Sequence, residues 1–275
     1  MKSSKKLLTA LALASCVTFS PFVTNDAWAL FCSNNGGRFN EWKSAFKKEY
    51  GSRYKKSTLR KFDRVKYDSR VIALDRRNKR SFKGSFASFY KRRAGGVARI
   101  ARSKKRKYQK YFNKAQKRYG VQPEIILAIW GLESAFGRYR GKQFPILQST
   151  ATLAYDCRRS KSLFFPQLLA AMKVTDRGIA DLSKRTGAWA GEIGQTQFLS
   201  SSFLVAAVDF DGGGVNVFKS PGDVIGSTAK WFKANGWKRG GNYQPGSHNY
   251  RVIQRWNKAT NYQKTIAKLA KEIAR

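Results

Sequence analysis

Apolar side chains in this sequence recur at helical rather than strand spacing, and that rhythm decides which folds are open to it. Phe39, Trp42, Phe46 and Tyr50 fall three or four residues apart, as do Tyr108, Tyr111, Phe112 and Ala115. Each set therefore lands on one face of a helix. Sustained alternation of the strand type is absent, and no internal repeat of useful length is present. A chain of this kind builds its core by packing helices, and 275 residues that are 42% hydrophobic suffice for one domain or two closely packed ones.

Tyr119-Gly120 closes the first helical region. Pro123 stands where a first-turn proline begins a new helix through Ile125, Ile126, Ile129, Trp130 and Leu132, and Gly137 is its expected stop. Further helices are expected in LFFPQLLAAMKVTDRGI and in the closing QKTIAKLAKEIAR. Between them run glycine-rich, aromatic-rich stretches, GAWAGEIGQTQF, VDFDGGGVNVF and TAKWFKANGWKRG. The expected class is predominantly α.

Residues 1 to 29 read as an export signal: Lys2, Lys5 and Lys6 precede an apolar run too short to span a membrane with assurance, and Ala27-Trp28-Ala29 forms a small-residue cleavage site. The alternative is processing at Leu13-Ala14-Ser15-Cys16, a lipoprotein-like box that would leave a lipid on Cys16. Cleavage after Ala29 leaves two cysteines, Cys32 and Cys157, and in an exported chain the pair suggests a disulfide.

Charge is extreme: 55 Lys plus Arg against 16 Asp plus Glu give +39. Loss of the signal removes three lysines and one aspartate, lowering +39 by two to +37. No carboxylate lies between Asp75 and Glu124, a stretch that holds RRNKR, YKRR and ARSKKRKYQK. Such a field attracts polyanions. Export argues against specific nucleic-acid binding and points to anionic wall or membrane surfaces, while many of these lysines are the solvated faces of helices.

One carboxylate breaks the apolar pattern. In IWGLESAFGRYRG, Glu133 shares a helix face with Ile129, Trp130 and Phe136. Apolar neighbours raise a carboxyl pKa and keep the group protonated near neutral pH, which suits proton donation to a leaving oxygen. The other local reading is a surface glutamate paired with Arg138 or Arg140.

The segment PEIILAIWGLESAFGRYRGKQFPILQSTATLAYD resembles the catalytic helix and following loop of the lytic murein transglycosylase B family. GAWAGEIGQTQFLSSSF, AVDFDGGG, STAKWFKANGW and NYRVIQRWNKATNYQKTIAKLA match further blocks in the same order, over residues 34 to 272. The resemblance implies a lysozyme-like catalytic region at 121 to 275, with the basic helical region at 30 to 120 packed on it as one compact unit. It also implies a monomeric periplasmic lytic transglycosylase that cleaves the β-1,4 bond between N-acetylmuramic acid and N-acetylglucosamine in peptidoglycan glycan strands, leaving 1,6-anhydromuramoyl ends. Glu133 takes the place of the single acid and then base. Gln197 falls at a sugar-contacting amide, and Trp231, Trp256, Asn257 and Tyr262 fall where the family lines its cleft. Competing readings are a lysozyme-like hydrolase that uses water and a non-catalytic wall-binding protein.

Three departures accompany the match. The family's calcium loop aligns with DFDGGGVNVFKS, where Asp209 and Asp211 hold the first and third positions but Gly213 and Ser220 stand at the fifth and twelfth. Calcium is therefore not expected, and no other cofactor is implied. Ala188 stands where some relatives carry a hydroxyl that helps to orient the acid, so either another group or water must hold Glu133. Glu192 replaces a small residue, either as a member of a structural ion pair or as a nearby charge that modulates Glu133.

Overall fold

The structure is a computed structural model that describes residues 30–77, 85–139, 142–158 and 163–275. The export signal and Cys16 lie outside the described residues. Among those residues no helix is long and apolar enough to cross a membrane.

Thirteen α-helices carry the described fold, with one strand pair of two residues each. The first helix, α1 (Phe39–Tyr50), buries Phe39, Trp42, Phe46 and Tyr50, the residues that its spacing marks out. Phe39 and Trp42 meet Tyr155 at 5.2 and 5.5 Å between ring centroids, and Tyr50 meets Phe165 at 5.4 Å. These aromatic pairs dock α1 on α8 (Ile146–Tyr155) and α9 (Phe165–Asp176), more than a hundred residues further on. Next come α2 (Lys56–Asp63), whose Phe62 sits 4.8 Å from Phe46, and α3 (Ser69–Arg77), which lies on α8.

Lys43 is a buried cation within this cluster. Its ammonium donates to the carbonyls of Asp63 and Val65, both at 2.8 Å. Burial lowers its pKa. Cys32 and Cys157 are bonded with Cα atoms 4.9 Å apart, the bridge expected of an exported pair. Alongside it, Ser33 N–H donates to the Tyr155 carbonyl at 3.2 Å, and Arg76 pairs with buried Asp156 at 2.9 Å.

The second group of helices surrounds α7 (Pro123–Ser134). Its residues from Ile125 through Leu132 are all buried. A helix that is apolar on every face belongs inside a core. It is enclosed by α4 (Phe86–Ala94), α5 (Val97–Lys107), α6 (Gln109–Tyr119), α11 (Pro221–Ala234) and α13 (Thr260–Ala274). Gly131 is what lets α5 approach: a Cβ there would overlap the Val97 side chain and meet Phe136 at 3.0 Å. The two strands, β1 (Phe144–Pro145) and β2 (Thr186–Gly187), pair antiparallel. Past β2, α10 (Ser200–Ala206) packs on α9 and α11, and α12 (His248–Trp256) on α13. Buried residues from Leu30 to Ile273 form one continuous hydrophobic cluster. The architecture is predominantly α, as expected.

Candidate functional site

The helix that carries Glu133 stops at Ser134, earlier than Gly137 suggests. Ala135, Phe136 and Gly137 follow at φ +48°, +61° and +81°, three left-handed residues in a row. Ala135 N–H returns to the Gly131 carbonyl and Phe136 N–H to that of Trp130, at 3.0 and 3.2 Å. This closure folds the Phe136 ring back onto Trp130, edge to face at 5.5 Å. Phe136 therefore does not share a helix face with Glu133, as its spacing suggested, because the helix has ended; it packs on Trp130 from the turn. Left-handed alanine and phenylalanine each cost on the order of 1 kcal/mol or more, and such strain gathers at functional sites. The remaining non-glycine residue with positive φ among those described is Gln197, at +54°.

Gln195 joins this turn to the loop after β2. It accepts from Trp130 Nε1 at 2.8 Å and donates to the Phe218 carbonyl at 3.0 Å. Gly137 gives it room, since a Cβ there would collide with the Gln195 amide. Two residues on, the Gln197 amide donates to the Gly194 carbonyl at 2.7 Å and so helps to shape its own loop.

Glu133 keeps partial exposure at the end of this buried helix. The Tyr262 hydroxyl donates to Oε1 at 2.5 Å, and Trp256 Nε1 reaches the same oxygen at 3.5 Å. Oε2 has no hydrogen-bond partner among the described residues. With Oε1 occupied as an acceptor, the acid proton belongs on Oε2. Burial raises the Glu133 pKa to about 7, against the lowering effect of the Tyr262 and Trp256 hydrogen bonds and of the Arg93 charge, while Glu192 adds to the rise. Arg138 directs its Nε to the Ala135 carbonyl at 3.3 Å instead of to Glu133, and Arg140 lies outside the described residues.

The structure sorts the other expected residues. Trp256 is partly exposed, with Trp231 edge-on at 4.9 Å and Phe232 stacked at 5.7 Å. Trp231 is buried and supports Trp256 from within the core. Asn257 closes the turn between α12 and α13, accepting the Ala259 N–H at 2.9 Å through its side chain and Gln263 Nε2 at 2.8 Å through its carbonyl. That turn delivers Tyr262, which is buried, to the carboxylate. With alanine at 188, it is the Tyr262 hydroxyl that holds the Glu133 carboxyl. Glu192 accepts the Ala190 N–H at 3.0 Å, and burial raises its pKa.

Asp209, Asp211 and Asp223 bring carboxylate oxygens within 4.8 Å of one another. Their oxygens are engaged: Asp209 accepts from the N–H groups of Gly212 and Gly214, Asp223 from those of Phe210 and Asn216, and Asp211 from the Ser220 hydroxyl. Asp223, from α11, is a carboxylate that the loop reading of Asp209 and Asp211 did not include.

Sequence reasoning missed Arg93, which lies 40 positions before Glu133 in a polybasic run where one cation looks like the next. Its Nη2 donates to the Leu132 carbonyl at 3.1 Å.

Fold and site define a lysozyme-like helical protein built around one partly buried carboxylate held by a tyrosine. The chain belongs to the family described as the transglycosylase SLT domain, which matches residues 38–246. Membrane-bound lytic murein transglycosylase B of Escherichia coli (strain K12) is 39% identical over 133 residues, 48% of this chain. The chain spans 37% of that curated relative's length. Among solved structures, SltB3 from Pseudomonas aeruginosa in complex with NAG-anhNAM-pentapeptide superposes with a TM-score of 0.75 at 26% identity, covering 87% of this chain and 80% of that one. The Escherichia coli lytic transglycosylase Slt35 in complex with bulgecin A superposes at 0.71 and 25% identity, covering 89% and 95%.

Proposed function

We propose that this chain is a peptidoglycan lytic transglycosylase in which Glu133 is the single acid and base. The observation that carries the reading is the Glu133 carboxyl itself, raised to about 7 by burial and held through Oε1 so that Oε2 can present a proton. The complex of SltB3 with NAG-anhNAM-pentapeptide supports both the glycan substrate and the anhydro product.

Glu133 gives its Oε2 proton to the glycosidic oxygen as the bond from C1 of N-acetylmuramic acid breaks, and N-acetylglucosamine leaves as the alcohol. The acetamido oxygen of the same sugar stabilises the positive charge at C1. The Glu133 carboxylate then takes the proton from the C6 hydroxyl, O6 bonds to C1, and the acid is restored. No second carboxylate is needed as a nucleophile. Gln197 and Trp256 contact sugar, the latter offering an apolar ring to the C–H face of a pyranose. Trp231, Asn257 and Tyr262 hold that surface and the acid in place. The loop at Asp209 and Asp211 keeps its shape through hydrogen bonds, and no step passes through a metal. Net positive charge holds the exported enzyme near an anionic wall.

Digestion of purified peptidoglycan with mass analysis of the muropeptides tests the proposal. Anhydro ends from wild type and loss of turnover by at least a hundredfold in Glu133→Gln are expected, the usual worth of general acid catalysis being about 10² to 10⁴. Reducing muramic acid ends would instead identify a hydrolase that uses water. Equal turnover in the two proteins would exclude Glu133 as the acid.

A further inference from the structure

Helices leave their last carbonyls without intrahelical partners. At the end of α7 those of Trp130 and Gly131 are taken by the N–H groups of Phe136 and Ala135, and that of Ser134 by Tyr139. The Leu132 carbonyl, one residue before Glu133, goes to a side chain, Arg93 of α4. A cation at a helix C-terminus also complements the helix dipole. The Arg93 charge reaches beyond the carbonyl, because it favours the ionised forms of both Glu133 and Tyr262. Glu192, from the loop after β2, acts on Glu133 in the opposite sense. The groups facing the acid are therefore Arg93 from α4, Tyr262 from α13, Trp256 at the end of α12, and Glu192.

We infer that Arg93 is a positioning residue for the reaction: it anchors the last turn of α7 at Leu132 and keeps a cation near the Glu133 carboxylate, where Glu192 acts in the opposite sense. The inference rests on Glu133 as the acid and base. Within one turnover that group is first a neutral acid and then a carboxylate. Burial alone favours the first state and makes proton release costly. A cation bound to the same turn of helix favours the second without contacting sugar or occupying Oε2. Guanidinium suits this place, since it stays charged and its remaining donors stay hydrated at an exposed position.

The test is kcat/KM against pH on purified peptidoglycan for wild type, Arg93→Gln, Arg93→Lys, Glu192→Gln and the Arg93→Gln/Glu192→Gln double variant, with melting temperatures measured alongside. Protonated Glu133 starts the reaction, so activity falls as pH rises through its pKa. Arg93→Gln should move this alkaline limb upward by on the order of half a pH unit, the size of a cation effect at a helix end, and lower kcat. Glu192→Gln should move it downward, the double variant should lie between, and Arg93→Lys should restore the wild-type limb. Titration of the Glu133 carboxyl by NMR reads the same shifts in variants too slow to assay. An unmoved limb in Arg93→Gln, with only activity and melting temperature lowered, would reduce Arg93 to a structural cap and overturn the inference. Failure of Arg93→Lys to restore the limb would overturn the role of charge. Glu133→Gln in the same assay separates the two readings, because its full activity would remove the acid itself, whatever Arg93 does.

Discussion

In the folded chain Glu133 releases its proton near pH 7, against an ordinary value of 4.5. Between those two values the folded state holds a proton that the unfolded chain has lost, so stability falls as pH rises through that window. The full difference corresponds to roughly 3 kcal/mol, and partial exposure of the side chain brings the expected cost to about 1 to 3 kcal/mol above pH 7. Glu133→Gln should therefore melt a few degrees above wild type at pH 8 and coincide with it at pH 4, as read by calorimetry at the two values. A variant no more stable at pH 8 would show that the carboxyl is not desolvated. Tyr262→Phe removes a donor that favours the carboxylate. Its alkaline limit of activity should rise, while kcat falls because the acid loses its main tether. The buried helix that carries Glu133 was legible in IWGLESAFGRYRG, because apolar residues at helical spacing identify it without knowledge of the fold, whereas spacing alone left open a surface glutamate and the role of acid came from the family resemblance. Its partners were not legible as partners. Tyr262 is 129 residues away and aligned with a cleft wall, and Arg93 acts through a backbone carbonyl that leaves no mark in a pattern of side chains.

At the scale of elements, α7 shows what periodicity conveys and where it stops. Pro123 and the apolar run placed its start and its buried character correctly. Its end came three residues before the glycine, because two left-handed residues turn the chain first, held by bonds to Gly131 and Trp130. Glycine marks where left-handed backbone is cheap, and this turn uses it where it is costly as well. The α1 face was legible from four aromatic residues, but its partners on α8 and α9 were not, since spacing within a helix says nothing about which other helix it meets. Gly131→Ala tests the close approach of α5 to α7. In an open helix the change would be favourable by about 1 kcal/mol. Here the new methyl overlaps Val97, so a net loss of about 1 to 3 kcal/mol is expected in denaturant unfolding. Stabilisation would show that the two helices have room to separate.

Across the whole molecule, the Cys32–Cys157 bridge and the aromatic pairs on Tyr155 and Phe165 fasten the first helix to the middle of the chain, the bonded cysteines lying 125 positions apart. Reduction should lower stability by on the order of 2 to 5 kcal/mol, seen as a fall in melting temperature with dithiothreitol or in Cys32→Ser/Cys157→Ser. An unchanged melting temperature would mean that the aromatic contacts suffice. The pairing was legible because the reading of residues 1 to 29 as an export signal leaves two cysteines, which an oxidising environment would join, and the structure bonds them. A chain that emerges from its N-terminus delivers Trp42 long before it delivers Tyr155. Until residues 155 to 165 have followed, α1 has Phe62 beside it but lacks its aromatic partners Tyr155 and Phe165, and Cys32 ahead of it lacks its covalent one. Assembly of this face is therefore timed by the arrival of the chain's midpoint, and the earliest of the described helices to emerge is among the last to be secured.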